Sequence, residues 1–542
     1  MGANGQSSQA TAYGCARRCL RPPTDRIQRA SGTEGFNHDF IRYGFLTIFC
    51  YFLTRSIALV NTVDETGVGN ALIDQARQRL GELSIESVFA ACLHYLRRKP
   101  DDGFEWYERR PFITLLMIKW AVELWDPNTQ RRAGTASDFD FVGQCIWDAI
   151  GKLVRVTRPS IFMRRMAFQQ FWYQRSFDIC AIPRQALLFG EIMAESPVVF
   201  EFATAVGIEP RDFVRQLARM ASQIGDHYGL PELAQLRPKP RHKDARDWPL
   251  MTQFLVVDFP ELHRRIANLA KYETPREVEL CEQTPLIRMP FLPTPCGNEC
   301  VHHQVLFQSI ATALYDVLRD RGPEGFMRSF GPAFESYVCR ILEELQHEII
   351  SEHELQKILH GTGKCVDFAV VSDEVLLLVD SKGIEGHYDE RYHNLSEVLT
   401  KKLRTTALHA ADQAIDTVKR LPDSLRRPLI VFVCVTYKQL NIGDGDALRD
   451  LTFGTDEWNA PRWQEQSLPP SQMFTISIGE LELLCGVIRA GVPIAKIFRQ
   501  ILTDNDSSET RKFLFEQHMA RYRSVNTPDC AREAAYRLCD ID

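Results

Sequence analysis

Through most of the first half of the chain, apolar residues recur at three- and four-residue spacing, as in 71–98, 111–125 and 139–156, with polar residues between them. That period puts the apolar side chains on one face of a helix and predicts amphipathic α-helices sharing a core. No alternating pattern of comparable length appears before about residue 270. Breaks fall at 99–103, 126–134 and 237–249; the last is basic and Pro-rich, an extended solvated linker. A second Pro-rich crossing at 285–295 marks the expected domain boundary.

Beyond it, 302–321 and 334–347 still read as helices, and then the period changes. Two short β-branched apolar runs, 365–371 and 375–379, flank Ser372-Asp373-Glu374, which predicts strand, tight turn, strand. A helical stretch at 396–421 leads into 428–436, a continuous apolar run short enough only for a strand buried on both faces. A strand at 474–478 and a helix at 481–489 follow. The predicted architecture is therefore multidomain: a Gly-, Ser- and Arg-rich leader at 1–33, an all-α module at 34–284, a Pro-rich junction and helix at 285–324, an α/β domain with a central mixed sheet flanked by helices at 325–510, and a helical tail at 511–542.

Composition agrees with a folded protein, since 542 residues with 45% apolar and 25% charged side chains exceed what one core accommodates. A net charge of -6 supplies no overall field for a polyanion, so any nucleic-acid contact must rest on a local basic surface. The 15 cysteines are scattered, mostly in apolar stretches, and read as reduced thiols rather than a disulfide framework. The N-terminus, with Arg17, Arg18, Arg21 and Arg26, lacks the apolar core of a signal peptide. The most apolar window, 40–60, carries Arg42 and Arg55 and reads as a buried helix rather than a span. These features predict a cytoplasmic protein with no membrane partner.

Candidate chemistry gathers where the period changes. Glu335 lies in a helical stretch, Asp367 in the first strand run, and Asp380 and Lys382 at the end of the second. At strand period Asp380 and Lys382 share a face while Ser381 points away, and a core alone would not place two charges there. Phosphodiester hydrolysis needs a hard cation on oxygen ligands, an in-line water and relief of phosphate charge, all of which these residue types supply. Asp367 and Asp380 are the expected ligands of Mg2+ or Mn2+, with the Ser381 carbonyl assisting and Glu335 reaching the ion directly or through water. Lys382 would orient the water and offset developing charge.

Glu335, Asp367, Asp380 and Lys382, with 12 residues between the two Asp, resemble the PD-(D/E)XK nuclease superfamily, the restriction endonuclease-like fold, over about 325–505. Val366 stands where the family name expects Pro. The resemblance implies an α-β-β-β-α-β core, a metal-dependent endonuclease acting on DNA ahead of RNA, and a Gln on the next helix, for which Gln413 is the candidate. By analogy with nuclease domains joined to large extra modules, it also suggests bacterial anti-phage defence, with the helical half recognising substrate or serving a regulatory partner or a second copy of the chain. The alternative is a catalytically inactive nucleic-acid-binding or assembly protein retaining the fold.

Other motifs carry less. Cys296, Cys300, His302 and His303 offer zinc-type ligands, but their spacing departs from finger patterns and a junction loop is preferred. The sequence 360–364, His-Gly-Thr-Gly-Lys, lacks the spacing of a phosphate loop and reads as a turn. Arginines and aromatics interleaved over 155–175 predict an amphipathic helix with buried rings. Lys401, Lys402, Arg404, Lys419 and Arg420 are better placed to guide phosphate.

Overall fold

The computed structural model of the chain describes residues 65–97, 111–153, 158–169, 171–174, 177–224, 233–238, 245–270, 279–280, 283–361, 363–383, 396–522 and 527–539. The predicted leader and the apolar window at 40–60 lie outside the described residues. Among the described residues no helix is long and apolar enough to cross a membrane.

The chain divides into two compact units that interleave in sequence. One comprises the described parts of Met1–Thr157, Phe168–Phe177 and Arg215–Ala313; the other comprises those of Arg158–Ala167, Asp178–Val214 and Leu314–Asp542. The first unit is chiefly helical. Its helices include Glu65–Gly81, Ile85–Arg97, Pro111–Glu123, Ala136–Leu153 and Phe259–Ala270, packed on a core containing Leu80, Phe89, Trp120 and Ile146. The predicted run 71–98 is two helices, interrupted near Leu83, which bridges Arg132.

The second unit is built on a six-stranded sheet in the order β1-β2-β3-β4-β6-β5, with β1 Glu348–Ser351, β2 Phe368–Val371, β3 Val375–Lys382, β4 Leu429–Thr436, β5 Gly443–Asp444 and β6 Met473–Ser477. Strands β1, β2 and β3 form an antiparallel meander, β3, β4 and β6 run parallel, and β5 closes antiparallel to β6. Its principal helices are α1 Ala181–Leu187, α2 Pro323–Glu343, α3 Glu352–Ile358, α4 Ala407–Arg420, α5 Ile478–Arg489, α6 Ile494–Asp506 and α7 Asp529–Cys539. A sheet buried on both faces explains why β4 reads as unbroken apolar sequence rather than alternation, and every one of its residues is buried.

The faces of the sheet are covered differently. Ala410, Ala411, Ala414 and Val418 of α4 join Ala369 of β2, Leu376 and Leu378 of β3 and Phe432 of β4 in one core. Helix α2 contributes nothing to that cluster. It meets the other face, where a side chain added at Gly383 would lie 3.1 Å from Phe330 of α2. Helix α2 continues through Pro332, which lacks the amide that would bond one turn back. Helix α5 begins at a capping box: Ser477 N–H donates to Glu480 (2.8 Å) and Glu480 N–H to Ser477 Oγ (3.3 Å).

The expected boundaries need correction. The Pro-rich crossing is not a linker: Pro285–Arg288 forms a 3-10 turn and Phe291–Thr294 pairs with Gly297–Cys300 as a hairpin, while Leu286, Met289 and Leu292 enter the core of the first unit. Nor does the helical stretch 34–284 form one body, because Asp178–Val214 belongs to the sheet-bearing unit, where Phe189 stacks on Phe330 at 6.0 Å. The described parts of the tail belong there too, Phe515 packing on Phe474 and Phe498. Proline marks where a chain turns; buried apolar contact decides which core a segment joins.

Candidate active site

The register of the antiparallel meander builds the site. Phe368 pairs with Val379, so extending the register by one residue sets Asp367 opposite Asp380, with Lys382 next on the same face. In parallel register, Asp380 meets Cys434 and Lys382 meets Thr436. Because the even-numbered side chains of β3 face α4, both charges project toward that helix at the C-terminal end of the strand.

Asp380 is 0 % exposed, and its Oδ2 lies 2.5 Å from Lys382 Nζ. Its Oδ1 has no hydrogen-bond partner among the described residues. Burial first, and Asp367 next, push its carboxyl up to about 7, against the opposing pull of Lys382. Burial works against the Lys382 charge as well, but the neighbouring Asp380 outweighs it and holds the ammonium above the usual lysine value. Asp367 is fixed from the same strand: its Oδ2 accepts from Ser381 N–H and from Ser381 Oγ, each at 2.6 Å. Lys382 also donates to Gln413 Oε1 of α4 (3.2 Å), and Gln413 Nε2 donates to the Cys365 carbonyl (3.1 Å).

Asp367, Asp380, Ser381, Lys382 and Gln413 are thus drawn into one cluster. Glu335 is not bound into it. Helix α2 approaches from the opposite face, and Glu335 reaches the cluster only electrostatically. Burial, Asp367 and Glu352 push its carboxyl above the usual glutamate value while Lys382 opposes them. Among the described residues, the His, Cys, Asp and Glu groups whose ligand atoms all lie within 4.8 Å of one another comprise only Asp178, Cys180 and Glu482. Glu335, Asp367 and Asp380 do not converge to that spacing.

Two neighbours lack a signature in sequence. Glu352, the first residue of α3, acts on both Glu335 and Asp380. His409, one turn before Gln413 on α4, faces Lys382 and Lys364; burial and those cations hold its imidazole below the usual histidine value. The i, i+4 spacing of His409 and Gln413 was available from sequence, but only with α4 already placed over β3.

The donors are of the chemical type a hard divalent cation takes, carboxylate oxygens beside a polar strand end, but the three carboxylates do not come together to the spacing that one ion needs. The remaining candidates resolve differently. Cys296 is exposed in the hairpin, Cys300 is buried with its thiol toward the His302 carbonyl, and the His302 and His303 rings stack at 4.4 Å. In the 155–175 stretch, Phe162, Phe168, Trp172 and Tyr173 are buried and Arg164 donates to the Leu440 carbonyl. Of the cations flanking the site, Arg404 pairs with Glu457 and Lys419 with Glu465.

Comparison of the chain with family models, with curated proteins and with solved structures finds no significant match.

Proposed function

We propose that this protein is a Mg2+- or Mn2+-dependent nuclease that hydrolyses phosphodiester bonds, of DNA ahead of RNA, at the Asp367–Asp380–Lys382 cluster. The observation that carries this reading is Asp380, wholly buried yet with a carboxylate oxygen that no described group satisfies. An unpaired buried acceptor costs about 1–3 kcal/mol, and a fold retains that cost where a ligand or reaction uses it. The element order supports the same reading. Helix α2, the β1-β2-β3 meander, α4 and the parallel strand β4 follow the α-β-β-β-α-β order implied by the resemblance, with α3 and the helix Ser396–Arg404 as additions.

In this reading Asp380 and Asp367 would hold the ion with the Ser381 carbonyl, and Glu335 would act on it only through its charge. The bound ion would supply Lewis acidity toward a phosphoryl oxygen. Ser381 fixes the rotamer of Asp367 through its amide and hydroxyl. Lys382 keeps its proton and offsets charge building on the phosphate, while Gln413 holds the ammonium in place. The test is incubation of the full chain with supercoiled plasmid, RNA or free nucleotides in Mg2+. Plasmid cleavage that is abolished by Asp380→Ala or Lys382→Ala, in variants that keep their melting temperature, supports the reading; cleavage unaffected by both substitutions overturns it.

A second reading rests on the 2.5 Å pairing of Lys382 with Asp380 and the failure of the carboxylates to converge within 4.8 Å. It is a nucleic-acid-binding or assembly protein that keeps the fold without cleavage. Binding of an uncut duplex with equal affinity in the presence of Mg2+ or a chelator would favour it.

A further inference from the structure

We infer that Thr417 is a positioning residue that locks the backbone entering Asp367 against α4, an inference that rests on the nuclease reading above. Asp367 stands one residue outside the paired registers of β2, which end at Phe368 toward both β1 and β3. Its carboxylate is tied to Ser381 of the neighbouring strand. A tied side chain is placed only as well as the backbone behind it, and that backbone needs a hold other than the ladder.

Helix α4 supplies it. The peptide group joining Cys365 to Val366 is gripped at both ends: Gln413 Nε2 donates to the Cys365 carbonyl (3.1 Å), and the Val366 N–H donates to Thr417 Oγ1 (3.2 Å). Gln413 and Thr417 are four residues apart and so share one face of the helix. A peptide group is planar, so two bonds from one helix turn fix the plane and with it the direction in which the chain enters Asp367.

The hydroxyl is suited to this task. Thr417 Oγ1 donates to the Gln413 carbonyl (2.7 Å), which commits its hydrogen and leaves its lone pairs to accept from Val366. Thr417 and Val366 are both wholly buried, so solvent cannot take over the bond. The residues around Thr417 on this face, Ala410, Ala411, Ala414 and Val418, are apolar core, and a valine would fill the volume of the threonine. What threonine adds is the acceptor for the Val366 amide. Gln413 also accepts from Lys382 Nζ (3.2 Å), so Asp367 from β2 and Lys382 from β3 are both referenced to the same turn of α4.

The experiment compares the full-length wild type with Thr417→Val, Thr417→Ser and, as a control for lost packing on the same helix, Val418→Ala; Thr417→Ala replaces the valine variant if that does not fold. Cleavage of supercoiled plasmid in Mg2+ and residue-resolved amide hydrogen exchange of the metal-free protein are both measured. Thr417→Val should lower kcat by about tenfold with KM little changed, because a group that stabilises charge is misplaced. It should also speed exchange at Val366 and, across the strand, at the Ser381 amide that Asp367 accepts, each by at least about fivefold. Thr417→Ser restores the hydroxyl and should return both readouts to within about twofold of wild type. Val418→Ala should lower the melting temperature while keeping kcat and Ser381 protection. Wild-type kcat in Thr417→Val, faster exchange at Val366 with Ser381 unchanged, or an equal loss of kcat in Val418→Ala each overturns the positioning role. A wild type that leaves plasmid, single-stranded DNA and RNA intact removes the nuclease reading instead, and the hold on Asp367 is then decided by the Ser381 exchange alone.

Discussion

Two buried charge clusters in the sheet-bearing unit are made of nearly the same groups and end in opposite states. Among α1, α2 and α5, the Arg184 guanidinium donates to both oxygens of Glu482 (2.8 and 2.6 Å) and to Asp178 (2.6 Å), and Tyr337 Oη donates to Glu482 (2.6 Å). Burial opposes the arginine charge, but Asp178 and Glu482 hold it well above its usual value. At the end of β3, by contrast, Lys382 pairs with one oxygen of Asp380, and the other has no hydrogen-bond partner among the described residues. Arginine offers a fork that saturates two carboxylates; lysine offers a point charge that cannot. Asp178, Cys180 and Glu482 of the first cluster bring their ligand atoms within 4.8 Å of one another, yet Arg184 is already paired with both carboxylates. The saturated cluster ties three helices together, whereas the unsaturated one is where the proposed ion would bind.

The largest effect should come from the unsaturated cluster. Asp380→Asn preserves shape but removes the charge proposed to hold the ion, and plasmid cleavage should fall by at least ~10³-fold, about 4 kcal/mol of transition-state stabilisation. Residual activity within tenfold of wild type in a nicking assay would contradict this. Arg184→Met should behave in the reverse manner: it strands Glu482 and Asp178 in the interior and should destabilise the unit by roughly 3–5 kcal/mol in urea unfolding. If Arg184→Met instead left stability intact and abolished cleavage, the assignment of the two clusters would be exchanged.

A smaller effect follows from the Asp380 carboxyl. Its folded value, raised to about 7, exceeds that of an ordinary aspartate, so between roughly pH 4 and 7 the folded state holds more protons than the unfolded chain. The contribution to stability is therefore fully present at low pH and lost as pH rises through 7, because the unfolded chain ionises freely and the folded one does not. Asp380→Asn removes this slope and should stabilise the metal-free protein at pH 8 by about 2 kcal/mol relative to wild type. Adding Mg2+ should raise the wild-type melting temperature at pH 8 and leave the variant unmoved. A wild-type melting temperature that climbs between pH 5 and pH 8 without metal, with no difference in Asp380→Asn, would refute the sign.

The parts of this picture legible in sequence are those that depend on local period. The meander β2–β3 with its Ser372-Asp373-Glu374 turn, β4 and the pairing of Asp380 with Lys382 on one face follow from alternation and run length. Helix α2 was expected to start at 334, whereas it begins at Pro323, carries the buried Phe326 and Phe330, and runs through Pro332. Strand β1, four residues only partly buried, has too little pattern to register. The site was half legible for the same reason. Asp367, Asp380 and Lys382 lie on adjacent strands, so register alone brings them together; the distance of Glu335 from them depends on which face α2 covers, and Glu352 and His409 depend on how α3 and α4 dock. The assignment of Asp178–Val214 to the sheet-bearing unit rests on packing of Phe189 against Phe326 and Phe330, long-range contacts with no period to announce them.

The finest separation of the two clusters lies in their neutral members. Tyr337 and Gln413 each tie a charged partner: Tyr337 satisfies an oxygen of Glu482, and Gln413 tethers Lys382 to the backbone at Cys365. Removing the hydroxyl in Tyr337→Phe leaves Glu482 still bound by Arg184 at both oxygens, so it should cost about 1–2 kcal/mol of stability and nothing in rate. Gln413→Ala frees an ammonium that Asp380 still holds, so stability should change little. The lysine, however, would no longer be confined to one orientation, and misplacement of a charge-stabilising group lowers kcat; a fall of about tenfold, near 1.4 kcal/mol, is expected with KM unchanged.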